Sequence, residues 1–505
     1  MRLKRLEVLS SDEVEAIHSA SVDLLSTTGI KIESKETRAL LAGQGALPDD
    51  ETTLVRIPES VLKEALRTVP SSFTLHGNDP SFSFEVTTND TVFATIGTPV
   101  KIHDPSHKRG IRDTVLKDTI DQLKIVDGLD HVMNSHVDVW PNDVPYLALH
   151  AHVIRAWATN CKKPYVLGVF GRRASQDMID MTAMVVGGVD ELVKHPRLVG
   201  FFNTTSPLLL PQVMTNGFEV FAKHGQPTII APEAMAGSTA PVTLAGLLVQ
   251  TNAEILAGIV LSQAFKKGAP VLFGTVSNIT DLSSGNSAMG SIETGLITAG
   301  IAQLARRYHV PSRGPGCVTD SKVLDVQAGF ERMHTMLLAA QAGINYITCA
   351  GTYEATLAEA LELLVIDDEL AGMVNRAVDG IVVNEDTIAL ETIKKVTKSK
   401  DKNASFLGEK HTIKHMKKEI YRPELVNRER RSRWYKNGAK DIIAVARERV
   451  DQILKEHVPP RVDPALDVKL LDFIKTVESR TMDDYRAAEG LSSGSPTLPG
   501  SRDLE

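Results

Sequence analysis

Residues 317–331, CVTDSKVLDVQAGFE, gather Asp320, Ser321, Lys322, Asp325, Gln327 and Glu331 just ahead of the helix-like run HTMLLAAQAGI. Other short apolar runs end in similar polar clusters: GRRASQD, NTTSPL, APEAMAGSTAP, SNITDLSSGN and AGTYEA. Together they offer Asn203, Thr204, Ser206, Glu233, Asn278, Asp281, Asp320, Lys322 and Glu354, with the rings of Trp140, Phe170, Phe202 and Tyr353 beside them. Such a set suits a small polar or cationic ligand, because an aromatic face attracts a cation by about 0.5–2 kcal/mol. Asn, Ser and Asp at strand-to-helix junctions are also natural caps and turn formers, so the pattern alone names no reaction.

Other chemistries leave weaker traces. His150 and His152 in LHAHV fall on opposite sides of a helix, and His131 and His136 do not face together on a strand. No HExxH pattern occurs, and none of Cys161, Cys317 and Cys349 is obviously activated. No metal site is expected. HDPSHKRG (103–110) is similar to the DxHxxG pattern of corrinoid-binding modules, but its spacing is one residue too long. It reads as a turn through Asp104, Pro105 and Gly110.

The elements that must position these clusters follow a rhythm. Eight β-rich runs alternate with helical stretches: 91–97, 132–140, 164–170, 197–203, 227–233, 270–276, 310–318 and 345–351. Each return to a sheet through a helix implies parallel strands. Eight units in this length predict a (β/α)8 TIM barrel, α/β in class, over residues 91–375. An open doubly wound sheet is the competing fold, but it would bring a Gly-rich phosphate loop, and GxGxxG is missing. In a barrel the polar clusters fall at strand exits and converge on one mouth. Residues 1–90 read as an N-terminal helical cap, 376–480 as a C-terminal, mostly helical region, and 481–505 as a disordered Ser/Gly/Pro-rich tail.

Composition sets the surroundings. The 505 residues are 42% apolar and 24% charged, with a net charge of −7, which disfavours nucleic acid as partner. Three cysteines without a CxxC suggest a reducing, cytoplasmic setting. LAGLLVQTNAEILAGIVLSQAF is broken by Gln250, Asn252 and Glu254 and reads as a buried helix, so no membrane partner is expected.

Several of these segments resemble the trimethylamine methyltransferase family over nearly the whole chain. The most specific are TDSKVLDVQAGFE and STAPVTLAGLLVQTNAEILAG; LSSDEVEAIHSASVDLLSTTGI, NTTSPL and NGAKDIIAVARERVDQILKEH accompany them. The resemblance implies a barrel, a homo-oligomer, and transfer of methyl from a methylated amine to a separate corrinoid protein. Cobalamin would then be supplied by the partner, with no cofactor bound by this chain. Founding members use pyrrolysine, whereas this sequence has only the twenty standard letters, as do relatives that demethylate quaternary amines such as glycine betaine. GTYEA also stands where GMLES would be expected.

Leaving-group chemistry points the same way: a quaternary ammonium departs as a neutral amine without a general acid. Its positive charge fades in the transition state, so a tight carboxylate clamp would favour bound substrate over the barrier top. The candidate set is therefore Glu233, Asp320 and Glu354 as catalytic carboxylates. Trp140, Phe170, Phe202 and Tyr353 would cage the cation, Asn203 and Asn278 would bind substrate, and Lys322 would grip a carboxylate. Alternatives are a same-fold methyltransferase with another donor or a folate acceptor, and a non-catalytic methylamine sensor.

Overall fold

The computed structural model describes residues 4–95, 99–136 and 139–491. Eight parallel strands close into a barrel in sequence order: β1 Val92–Thr95, β2 Val132–His136, β3 Tyr165–Gly168, β4 Leu198–Phe202, β5 Thr228–Ile230, β6 Val271–Gly274, β7 Ser312–Pro315 and β8 Tyr346–Ala350. Pairing runs from Val166↔Val199 through Ile229↔Leu272 and Arg313↔Tyr346 to Tyr346↔Val92, with register shifts flanking β1 at Ile347/Ala350 and Phe93/Ala94. All eight predicted strands are present, including the seventh with its prolines. Residues 96–97 and 137–138 of the first two, and the tail from 492, lie outside the described residues.

Each strand feeds a helix: α1 Leu116–Asp127, α2 Leu149–Asn160, α3 Gly171–Val186, α4 Gln212–Lys223, α5 Leu244–Phe265, α6 Ile292–Tyr308, α7 Val326–Ala342 and α8 Leu361–Val378. α5 is long and apolar enough to cross a membrane, but most of it is buried inside the protein, under the helices Ser11–Thr27 and Glu59–Thr68. Its carboxylate has a structural use. Glu254, fully buried, accepts hydrogen bonds from Thr204 Oγ1, Ser206 Oγ (2.9 Å) and Leu208 N–H (2.9 Å). NTTSPL and the NAE of α5 are thus one brace across the fourth strand exit.

The N-terminal 90 residues are not purely helical. Ile30–Ile32, Leu47–Pro48 and Leu54–Arg56 form a small sheet with Leu209–Leu210, and Phe73–Leu75 pairs with Phe84–Val86. Strands of two or three residues are too short to show alternation in sequence. Beyond α8 the chain is helical, ending in Ile442–Glu456, Pro464–Glu478 and Met482–Ala488.

A buried ion pair fixes the last strand exit. Arg332 on α7 and Asp367 on α8 are 1% and 0% exposed and pair through both guanidinium nitrogens facing α8, Nε at 2.8 Å from Oδ1. Arg332 also donates to the Thr352 carbonyl, and Asp367 Oδ2 accepts the Gly351 N–H at 2.7 Å. Removing one partner strands the other charge in the core, at about 3–5 kcal/mol. Asp367→Ala should therefore lower the thermal midpoint sharply, and Arg332→Met with Asp367→Leu should recover part of the loss. A double variant no better than the single one would contradict this account.

Candidate functional site

The third, fourth, fifth, seventh and eighth strand exits are built by different local devices. At the seventh, the polarity of TDSKVLDVQAGFE is spent largely on holding its own shape. Glu331 Oε2 accepts from Thr319 Oγ1 (2.6 Å) and Asp320 N–H (2.8 Å), while Oε1 accepts from Gln327 Nε2 (2.9 Å). Asp325 caps α7 by accepting from Ala328 N–H at 3.1 Å, and Ser321 Oγ donates to it at 2.9 Å. Lys322 is solvent-exposed and its Nζ donates back to the Asp320 carbonyl at 2.6 Å. That bond uses one of the three N–H donors of its ammonium.

Asp320 is the exception. Its Oδ2 accepts from Gly290 N–H at 2.9 Å, but Oδ1 is buried with no partner. Burial raises its pKa and repulsion from Glu331 adds to this, against the Gly290 N–H.

The eighth exit carries unusual backbone. Cys349, Glu354, Ala355 and Thr356 have φ of 82°, 52°, 51° and 70°, a region that costs non-glycine residues of order 1–3 kcal/mol each. The seventh exit holds them: Glu354 N–H donates to Ser321 O (3.1 Å) and Ala355 N–H to Thr319 O (2.9 Å). Glu354 is thereby presented half-exposed. Tyr353 is not: it is 1% exposed, packed among Ala358, Ala360 and Leu363, with its hydroxyl unpartnered. Nearby Glu359 is fully buried, and desolvation pushes its carboxyl up to about 8.

At the fifth exit, Glu233 reaches solvent yet is densely surrounded by protein, as a group lining a concavity must be. Desolvation raises its pKa, and the charge of Arg313 partly offsets the rise. Arg313 is the residue that sequence reading passed over. It sits on β7 between Gly274 and Tyr346, and its guanidinium lies 5.2 Å over the Phe201 ring. Nη1 donates to Thr275 O at 2.5 Å, but Nε and Nη2 are buried without a hydrogen-bond partner. Cys349 lies alongside, and a thiol is only a weak acceptor. The only signal in sequence was an arginine in an otherwise apolar strand position.

Strand parity corrects another expectation. Phe201 and Val199 pack with the residues inside the barrel, so Phe202 faces outward, fully buried and stacked on Phe218 of α4 at 4.8 Å. Phe202 cannot cage a substrate at the mouth; Phe201, half-buried, is the ring on the inner face. Asn278 is likewise committed: fully buried, it donates to Val276 O (3.1 Å) and accepts from Ser287 Oγ (2.9 Å). Asn203 is half-buried and donates to Ala231 O at 3.0 Å, tying the fourth exit to the fifth.

Trp140 and Phe170 do come together, edge to face at 5.4 Å. They line a recess at the barrel rim with Tyr146, Met214 and Tyr485, floored by His150, whose Nε2 lies 3.0 Å from Asp177 Oδ2. Tyr485 belongs to the helix Met482–Ala488, and its hydroxyl donates to Leu147 O at 2.7 Å. One residue past that helix, Glu489 accepts from the N–H groups of Arg172 (2.6 Å) and Arg173 (3.4 Å) at the start of α3. Gly171 leaves room for it, since a Cβ there would meet Glu489 Oε1 at 2.5 Å.

The raised pKa of Asp320 has a sign. An aspartate that holds its proton more tightly when folded adds stability below the unfolded carboxylate pKa, and that stability is lost as pH rises through the raised value. Ionised Asp320 therefore opposes folding at neutral pH. Asp320→Asn, which can still accept from Gly290 N–H, should raise the thermal midpoint at pH 7, with the gap shrinking toward about pH 4. A lower midpoint at pH 7 would rule this out.

A family model described as Trimethylamine methyltransferase (MTTB) matches residues 1–481. Curated relatives include Trimethylamine methyltransferase MttB of Desulfitobacterium hafniense, 34% identical over 485 residues and covering 95% of each chain. Glycine betaine methyltransferase of Desulfitobacterium hafniense is 33% identical over 475 residues, 94% of this chain and 97% of that one. Trimethylamine methyltransferase MttB of Methanosarcina barkeri is 34% identical over 466 residues, 91% and 92% of the two chains. Among solved structures, the monomethylamine methyltransferase MtmB of Methanosarcina barkeri superposes with a TM-score of 0.50 at 12% identity, over 89% of both chains.

Proposed function

This chain belongs to the trimethylamine methyltransferase family and is a methylamine methyltransferase; we propose that its donor is a zwitterionic quaternary amine of the glycine betaine type, and that its acceptor is the cob(I)alamin of a separate corrinoid protein in the cytoplasm. The observation that carries the choice of donor is the buried Arg313, with two unpaired donors, set near the solvent-reaching carboxylate of Glu233. A betaine presents the complementary pair, a carboxylate and a fixed cation. Charge-assisted hydrogen bonds to guanidinium contribute about 1.5–3 kcal/mol each, so a carboxylate that satisfies Nε and Nη2 orients the molecule. Trimethylamine offers nothing to those groups.

In the reaction, one C–N bond of the ammonium breaks with its electron pair left on nitrogen, giving a neutral tertiary amine. The partner's cobalt(I) supplies the nucleophile that receives the methyl group. The residues of this chain orient the donor and keep its cation loosely held. Arg313 fixes the carboxylate end, the Phe201 ring faces the interior, and Glu233 provides long-range attraction for the cation. Because positive charge disappears at nitrogen, Glu233 favours the bound donor more than the transition state. Asp320 and Glu354 take part in shaping the exits, and Trp140 and Phe170 form an accessory aromatic recess. Exposed apolar side chains beside the seventh exit, Val323 (59%), Val326 (83%) and Phe330 (58%), support docking of the corrinoid protein over this rim.

The reading is tested with reduced corrinoid protein and candidate donors, following methylcobalamin absorbance. Glycine betaine should give turnover and trimethylamine little or none. Arg313→Lys should raise KM for glycine betaine by about 10- to 100-fold, from ~1.5–3 kcal/mol of lost hydrogen bonding, and spare a carboxylate-free donor such as choline. Equal losses for both donors would remove Arg313 from this role. Glu233→Gln should raise KM while leaving kcat unchanged or higher; a large fall in kcat would instead assign Glu233 to the chemical step.

A further inference from the structure

The inner wall of the barrel has two unlike halves. From β3 to β6 it presents Val166, Val199, Ile229, Ala231 and Leu272, which pack on one another. From β7 round to β2 it carries Arg313, Tyr346 and Asn134, all fully buried. Tyr346 packs among the inner residues and Arg313 is its ladder partner, so the two side chains share the inner face.

Asn134 reaches that face through an irregularity. Phe93 pairs with Val132, and both pack outside the strands against Ile125 and Val126 of α1. The next pair is Ala94↔Asn134, which leaves Met133 as an extra residue in β2. A bulge of this kind re-aims the side chains that follow it. Ala94 belongs to the inner cluster, and Ser135 Oγ turns outward to Gln122 of α1 at 3.3 Å. Asn134 is therefore directed into the barrel, where an unbroken strand would have pointed it at the helices.

All three side chains keep unmet hydrogen-bonding capacity. Nδ2 and Oδ1 of Asn134, the hydroxyl of Tyr346, and Nε and Nη2 of Arg313 are buried without a partner. Burial raises the Tyr346 pKa, against the neighbouring Arg313 charge, so the phenol keeps its proton and can donate. β1, between β8 and β2, presents only Val92 and Ala94 to the interior cluster, and neither can hydrogen-bond. Among the unmet groups, N–H and O–H donors outnumber acceptors. A buried water donates as well as accepts, whereas donors gathered around a buried cation are complementary to an anion. The half-buried Phe201 ring, 5.2 Å from the guanidinium, and the solvent-reaching Glu233 connect this polar half to the mouth.

We propose that Asn134 and Tyr346 are specificity-determining residues that bind the carboxylate of the methyl donor together with Arg313. The inference rests on the zwitterionic donor argued above and adds to it two residues that read its anionic end.

Isothermal titration of the full chain with glycine betaine, and with choline as a carboxylate-free quaternary ammonium, tests it. Tyr346→Phe and Asn134→Leu nearly conserve volume and remove no hydrogen bond that the side chains make in the structure, so each should hold or raise the thermal midpoint. Each should weaken glycine betaine by about 10-fold or more, the loss of one hydrogen bond to a charged group, and leave choline as it was. A variant that binds glycine betaine like the parent removes its residue from the site and leaves its unmet groups to buried water. Equal weakening of both ligands would overturn the proposal as a packing effect. Arg313→Lys, measured alongside, separates this inference from the donor itself. A betaine-selective loss there, without one in Tyr346→Phe and Asn134→Leu, defeats the inference alone; an unaltered chain that does not bind glycine betaine defeats both.

Discussion

Two adjacent side chains on one helix turn, Glu331 and Arg332, bring opposite charges into the flank of the barrel, and the mouth's shape depends on both being satisfied. Charge in a dry interior is costly unless it is paired and hydrogen-bonded. Glu331 draws the seventh exit inward by its Thr319 and Asp320 groups, and Arg332 draws the eighth by Asp367 and the Thr352 carbonyl. The run of left-handed residues at Glu354–Thr356 then leans on the loop that Glu331 shapes. Strain at the eighth exit is thus held by the buried pair of α7 and α8 and by the loop that Glu331 shapes.

The barrel itself was legible because its strands are buried on both faces and read as short apolar runs between helical stretches. Even VPSRGPGCV kept its place by rhythm. What the runs could not tell was parity. FFN ends the fourth strand with two identical rings, and only the closed register says that Phe201 looks inward and Phe202 into the helices. The same limit hid Arg313, which resembles a solvent-facing residue in a proline-rich stretch. Tyr353 and Asn278 sit in sequence where loop residues belong, but short added strands, Thr352–Tyr353 with Ala358–Glu359 and Asn278–Thr280 with Ser287–Ala288, fold those exits back and bury them.

The polarity of the family-specific blocks likewise has a different meaning in three dimensions. Most of TDSKVLDVQAGFE and the NTTSPL–NAE pair is internal bracing, whereas Oδ1 of Asp320 and Nε and Nη2 of Arg313 are among the buried polar atoms left without a hydrogen-bond partner, as are Asn252 Oδ1 and the Tyr353 hydroxyl. Unmet hydrogen-bonding capacity in a buried setting, more than polarity as such, is what separates a group free to receive a ligand from one that shapes a loop.

The rim recess has a consequence for how the protein is made. Trp140 and Phe170 lie in the second and third barrel units, yet Tyr485 and Glu489, which close the recess and cap α3, emerge from the ribosome more than 300 residues later. The third unit must wait through most of translation with its helix start unsatisfied, and a chain stopped anywhere before residue 489 keeps a gap in its wall. Completion of synthesis is thereby written into the architecture of the rim.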